Sequence, residues 1–254
     1  MQILLTVAYD GTNYAGWQRQ DNAVAVQQRV EDALSILLNR QVQVRAASRT
    51  DAGVHALGQR VCFHAPDVRV PLDKLPMVLN GLLPPDISIT DAIIVPDEFN
   101  PRFDARYKTY SYSIYNASCP NPLLSRYSAF TPQILDVKKM QETAQAFIGR
   151  HDFAAFCATG SSAKTTVREI YACNVEKQPN DTVALTITGN AFLYNMVRII
   201  AGTLLYVGMG KIPYSDISAI IASKDRKRAG KTMPPEGLVL INVAYNLDKP
   251  PSVR

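Results

Sequence analysis

The sequence predicts an α+β chain made of two similar halves on mainly antiparallel sheets. Three observations carry this. Strand and helix patterns follow one another with links of hairpin length and few long crossovers, the signature of antiparallel pairing. The order strand, helix, strand, strand, helix, strand in the first part is followed by a second part of similar plan. The 254 residues, 47% hydrophobic and 19% charged, can bury a core without a metal or disulfide staple. That balance excludes a disordered tail, a collagen-like repeat and a disulfide scaffold.

The elements follow in order. Gln2–Tyr9 is an apolar strand, broken by Asp10-Gly11-Thr12-Asn13. Val26, Val30, Ala33, Leu34, Leu37 and Leu38 recur at helical spacing, which predicts a helix over 25–39. Strands are expected at 42–47 and 61–64 with a turn-rich stretch between them, then a helix at 72–80 and a strand near 87–95. The seam falls in Pro96–Arg106, which gives halves of 1–98 and 99–254. In the second, Lys108–Asn116 reads as an aromatic strand and 136–149 as a helix. Residues 166–176 and 182–188 form a hairpin around Pro179-Asn180-Asp181. Helices at 191–207 and 215–223 precede a closing strand, Leu238–Tyr245.

The formal charge of +5 permits a polyanionic partner without requiring one. Cys62, Cys119, Cys157 and Cys173 form no C-x-x-C pair, and only His55, His64 and His151 accompany them, so no metal site is expected. Sparse, unpatterned cysteine fits a reducing cytosol. MQILLTVAYDG carries no basic leader or cleavage site, so a cytoplasmic protein is expected. The apolar stretch 191–208 contains Asn195 and Arg198 and reads as a buried helix, not a membrane span.

Four segments could carry chemistry. Ser48–Gln59 places Arg49, Asp51 and two glycines in one loop between apolar strands, where a catalytic group is often held. The same pattern also fits a turn in which Asp51 bonds its own backbone. Arg198 sits in the middle of a helix apolar on nearly every side, so it either reaches the surface or pairs with a carboxylate, Asp51 being the candidate. Tyr110 and Tyr112 share a strand face beside Lys108, which suits either base stacking or a half-buried sheet. Tyr14–Gln20, with Trp17, Gln18 and Arg19, is either a phosphate contact or a packed loop. Gly230-Lys231-Thr232 lacks the first glycine of a phosphate-binding loop, and Asp51 has no second copy to make an aspartic-protease pair.

Together these blocks resemble the tRNA pseudouridine synthase A family. The likeness runs from YDGTNYAGWQRQ (9–20) through RTDAGVHALGQ (49–59), FNPRF (99–103), KTYSY (108–112), DFAAF (152–156) and NAFLYNMVR (190–198) to EGLVLINVAY (236–245). It implies the pseudouridine synthase fold, two halves sharing an extended antiparallel sheet with helices on one face. It implies isomerisation of uridine to pseudouridine at positions 38–40 of the tRNA anticodon stem-loop, by a cofactor-free homodimer. Asp51 matches the family's essential aspartate, and Arg198 the arginine that salt-bridges it. Tyr110 matches the tyrosine that stacks on the target base, and Arg49 the arginine that evicts it. Gln18, Arg19 and Arg102 are candidate RNA contacts, as are Arg60, Arg106, Lys108 and the cluster Lys224, Arg226, Lys227, Arg228, Lys231. Ser48 replaces the commoner glycine before Arg49, and Asn100-Pro101 the more usual histidine and alanine. The competing readings are a non-catalytic RNA-binding module using the Tyr110/Tyr112 face, and an aspartate-dependent hydrolase for which no second acid or metal site is found.

Overall fold

The computed structural model describes residues 1–66 and 68–246. In chain order the elements are β1 (Gln2–Tyr9), α1 (Val26–Leu38), β2 (Arg45–Ala46), β3 (His55–His64), α2 (Leu75–Asn80), β4 (Ile87–Val95) and β5 (Tyr107–Asn116). They continue with β6 (Ala129–Thr131), α3 (Val137–Ala144), β7 (Gly149–Asp152), β8 (Val167–Gln178) and β9 (Thr182–Gly189). The last are α4 (Met196–Gly208), α5 (Ile217–Ser223) and β10 (Leu238–Ala244). The α+β class with mainly antiparallel pairing is the one the sequence predicts. The described chain divides into two compact units, Met1–Arg106 with residues 240–246, and Tyr107–Val239.

In the first unit the strand order is β4-β1-β3-β10, with β2 also on β3. β1 pairs antiparallel with both neighbours, Leu5 lying opposite Val61 on one side and Ala92 on the other. A central strand covered on both faces must be apolar on both, and Ile3, Leu4, Leu5 and Val7 are all at most 1% exposed. α1 buries the stripe Val26, Val30, Ala33 and Leu34 and stops at Asn39, which turns left-handed.

In the second unit the order is β5-β9-β8-β7. β8 and β9 form the expected hairpin, whose turn residues Asn180 and Asp181 both have positive φ. Three-residue β6 runs parallel to β5. α4 is the buried centre of this unit, with α3 packed on it and on β8. Phe147, Phe153 and Phe156 interlock edge-on beneath, so the DFAAF block serves the core.

Four expectations need correction. The strand at 42–47 is reduced to Arg45–Ala46. The helix expected over 136–149 ends at Ala144, passes through a 3-10 turn at Gln145–Phe147 and gives way to β7, because Gly149 has φ +105°. The helix expected from 191 starts only at Met196, because Asn195 has φ +58°. Arg198 therefore stands in its first turn, not its middle. The loop expected over 48–59 ends at His55, where β3 begins.

Candidate active site

Asp51 lies on a turn in the first unit that is held from several sides. Val54 N–H donates to the Asp51 carbonyl at 3.1 Å, closing a four-residue turn with Gly53 at φ +76° in its third position. On the N-terminal side, the buried Gln59 amide holds Ser48 twice, donating to its carbonyl at 2.7 Å and accepting from its N–H at 3.2 Å. Ser48 in place of glycine is thus accommodated through main-chain bonds that any residue can make.

The YDGTNYAGW segment backs this turn. Trp17 N–H donates to the Thr50 carbonyl at 3.0 Å, and Gly53 N–H to the Tyr14 carbonyl at 3.3 Å. The Tyr9 and Thr50 hydroxyls are 2.7 Å apart and buried. Gly11 N–H donates to His55 Nδ1 at 3.0 Å, and the Asp10 carboxylate lies 3.1 Å from the same nitrogen. Gly16, at φ +90°, packs so closely that a Cβ there would lie 2.5 Å from the Thr50 carbonyl oxygen. The packed loop is thus built over Tyr14–Trp17, with Trp17 only 2% exposed, while Gln18–Gln20 face solvent. Burial also pushes the Tyr14 hydroxyl pKa well up, aided by its hydrogen bond to Asp86.

Arg49 is exposed and Asp51 half-buried. Gln18 is exposed, and Arg19 is half-exposed with Nη1 3.1 Å from the buried Glu31 carboxylate. Arg102 is exposed, its guanidinium 5.8 Å from the Phe103 ring on a tight turn. The two family departures shape that turn. The Asn100 side chain accepts from the N–H groups of Arg102 and Phe103, and the Pro101 carbonyl accepts from the Tyr245 hydroxyl at 2.7 Å.

In the second unit Arg198 is half-buried. Its Nε donates to the Met233 carbonyl and its Nη1 to the Asn195 side chain, both at 2.7 Å. Tyr110 is 7% exposed and meets Phe192 edge-on at 5.1 Å. Tyr112 is fully buried, with its hydroxyl donating to the Pro234 carbonyl at 2.7 Å. A stacking surface made of both tyrosines is therefore not built, which removes the physical basis of the RNA-binding-module reading.

The basic cluster at 224–231 also divides. Lys224 pairs with Asp152 at 2.8 Å, and Arg226 is tied to the Gly230 carbonyl and the Thr232 hydroxyl. Lys227, Arg228, Lys231 and Arg106 are exposed, whereas Lys108 is buried and Arg60 largely so. Among the described residues no group of three or more His, Cys, Asp or Glu side chains could hold a metal ion. A groove of about 760 Å³ in the first unit, lined by Tyr14, Arg29, Asp32, Ile36 and Asp86 among others, includes none of the predicted site residues.

The sequence reading named the segments here but not the holding roles of Tyr9, Thr50, His55 and Gln59. No alternation of hydropathy marks the last two: His55 and Gln59 are buried in a strand whose exposed positions are Leu57 and His64.

Residues 5–104 and 143–246 match the family described as tRNA pseudouridine synthase; Tyr110 lies between the two stretches. The chain is 49% identical over 243 residues to tRNA pseudouridine synthase A of Caldicellulosiruptor bescii, covering 96% of this chain and 99% of that one. It is 46% identical over 253 residues to the protein of the same name from Myxococcus xanthus, covering 99% and 94%. Among solved structures, a Cbf5-Nop10-Gar1 complex matches at 12% identity and a TM-score of 0.38, over 94% of this chain and 48% of that one, a likeness too low to carry an argument. The sequence likenesses make the chain an enzyme of the isomerase class. It belongs to the tRNA pseudouridine synthase family.

Proposed function

We propose that this chain converts uridine to pseudouridine at positions 38–40 of the tRNA anticodon stem-loop, with Asp51 as the essential carboxylate. The observation that carries the reading beyond family membership is the turn itself: an acidic side chain whose flanking residues are held by main-chain and buried side-chain bonds. Such rigidity suits a group that must meet a reacting atom.

The reaction breaks the bond between uracil N1 and the sugar C1′ and makes one from C5 to C1′. The C5 hydrogen leaves to solvent, and N1 acquires one. Atoms and electrons balance without an oxidant or a second substrate, so no cofactor is called for. Cleavage builds positive charge on the sugar or demands a nucleophile, and one ionised carboxylate answers either need. In this reading Arg198 pairs with Asp51 and keeps it charged. The target base leaves its stack at a cost of about a few kcal/mol. Arg49 takes the vacated space and Tyr110 stacks on the base, offsetting part of that cost. Gln18, Arg19, Arg102 and the exposed Arg106, Lys227, Arg228 and Lys231 contact the tRNA, which makes affinity fall with salt. The enzyme acts as a homodimer in the cytoplasm, as the family resemblance implies. Among the described residues no helix is long and apolar enough to cross a membrane.

The test uses tRNA tritiated at uracil C5. Wild-type enzyme releases tritium. Asp51→Asn binds tRNA as before and loses release by about 1,000-fold or more. No release by the wild type, or substantial release by the variant, overturns the reading.

A further inference from the structure

Between the end of β1 and the Asp51 turn lies a buried contact of two neutral hydroxyls that the reaction does not consume. We propose that Tyr9 and Thr50 are positioning residues, whose mutual hydrogen bond fixes the direction in which Asp51 leaves the backbone. The inference rests on the proposed role of Asp51.

Thr50 immediately precedes Asp51, and both of its oxygens are engaged. Its carbonyl accepts from Trp17 N–H at 3.0 Å, and its hydroxyl lies 2.7 Å from that of Tyr9. Tyr9 cannot yield easily. It is the last residue of β1, opposite Ala56 of β3, is 5% exposed, and its ring meets Trp17 at 5.9 Å. The hydroxyl pair thus ties the residue before Asp51 to a central strand of the sheet. On the other side, the 3.1 Å bond from Val54 and the 3.3 Å bond from Gly53 to Tyr14 fix the residues after it. With both flanks held, the Cα–Cβ direction of Asp51 is set before substrate arrives. Releasing the Thr50 side frees one end of the turn, and a displacement of about 1 Å at a reacting group costs about 100-fold in rate. Thr50 and Tyr9 touch no reacting atom in this account. They act through the main chain of Asp51.

Tyr9→Phe and Thr50→Val remove one hydroxyl each at nearly constant volume, and Thr50→Ser keeps it. The expected result is that Tyr9→Phe and Thr50→Val each lower kcat by about 10- to 100-fold, with KM for tRNA within about twofold of wild type. Thr50→Ser recovers most of the turnover that Thr50→Val loses. The double variant Tyr9→Phe/Thr50→Val is within about twofold of the worse single variant, because the second change removes a bond already broken. Three results overturn the proposal: a rise in KM at unchanged kcat, a Thr50→Ser enzyme as slow as Thr50→Val, or losses that multiply in the double variant. Each variant is first checked by thermal unfolding. Should Thr50→Val not fold, the kcat and KM of Tyr9→Phe decide alone. A wild-type enzyme that releases no tritium would sink the functional reading instead, so the two failures are distinguishable.

Discussion

Gly16 and Gly160 share a positive φ, of +90° and +86°, but not an environment. A Cβ at Gly16 would meet the Thr50 oxygen at 2.5 Å, the Asp51 carbonyl carbon at 3.1 Å and Ala52 N at 3.2 Å, whereas one at Gly160 would find nothing within 4 Å. Gly16 belongs to the segment that backs the Asp51 turn. Gly160 lies in the polar stretch 157–166, exposed through most of its middle. That stretch is secured near its ends, where Ala158 N–H donates to the Tyr194 carbonyl at 3.1 Å and the Thr166 hydroxyl to Asp152 at 2.5 Å. Two loops with the same local glycine signal thus do opposite things. One is over-determined by buried contacts, and the other is anchored at its ends and open between, as low-stability surface segments are.

The sharpest break of that comparison is the same substitution at both sites. Gly16→Ala adds an unfavourable φ and a collision with main-chain atoms that cannot rotate away, so it costs about 2–4 kcal/mol. Because the added methyl presses on the Asp51 peptide, whatever folds also loses turnover. Denaturant unfolding and tritium release read the two effects. A loss below about 1 kcal/mol would mean that the close approach is easily relieved. Gly160→Ala carries the φ penalty alone, about 1 kcal/mol, with turnover within about twofold of wild type.

The contrast also shows what was legible in the sequence. Strands such as Gln2–Tyr9, Ile87–Val95 and Tyr107–Asn116 are readable because their side-chain pattern matches their burial. The start of β3 is not. Gln59 is wholly buried while Leu57 is 60% exposed, since the amide is spent holding Ser48. A hydropathy pattern reads that arrangement inside out and places a loop there. The start of α4 fails for a different reason. The residues on either side of Asn195 are as apolar as the helix, and only its left-handed backbone ends the run. Asp51 itself was identifiable as a candidate from its loop. The hydroxyl clamp behind it was not, because Tyr9 and Thr50 are 41 residues apart and each alone looks like an ordinary strand or loop residue.

The smallest effect separates the two loops by the chemistry of their anchors. The direct ties of the Asp51 turn, at Ser48, Thr50, Gly53 and Val54, are hydroxyls and amides that carry no charge. The stretch 157–166 is tied through an ion: Asp152 lies 2.8 Å from Lys224 Nζ, accepts from the Thr166 hydroxyl and caps the turn at Ala154. The bond to Lys224, then that to Thr166, holds the Asp152 carboxyl below its usual pKa. A carboxylate with a lowered folded pKa stabilises the protein at pH values above its unfolded value, about 3.9, and the benefit drains away as pH falls through the folded value. Asp152→Asn therefore costs at most about 1 kcal/mol near pH 7, because Lys224 is largely exposed. The gap from wild type begins to shrink below about pH 4 and closes once Asp152 is protonated in both states. The stability gap of Tyr9→Phe stays constant across the same range. Urea unfolding of the three proteins from pH 3 to 7 makes the comparison. An Asp152→Asn gap that does not narrow at low pH would assign that anchor to neutral hydrogen bonding and erase this difference between the loops.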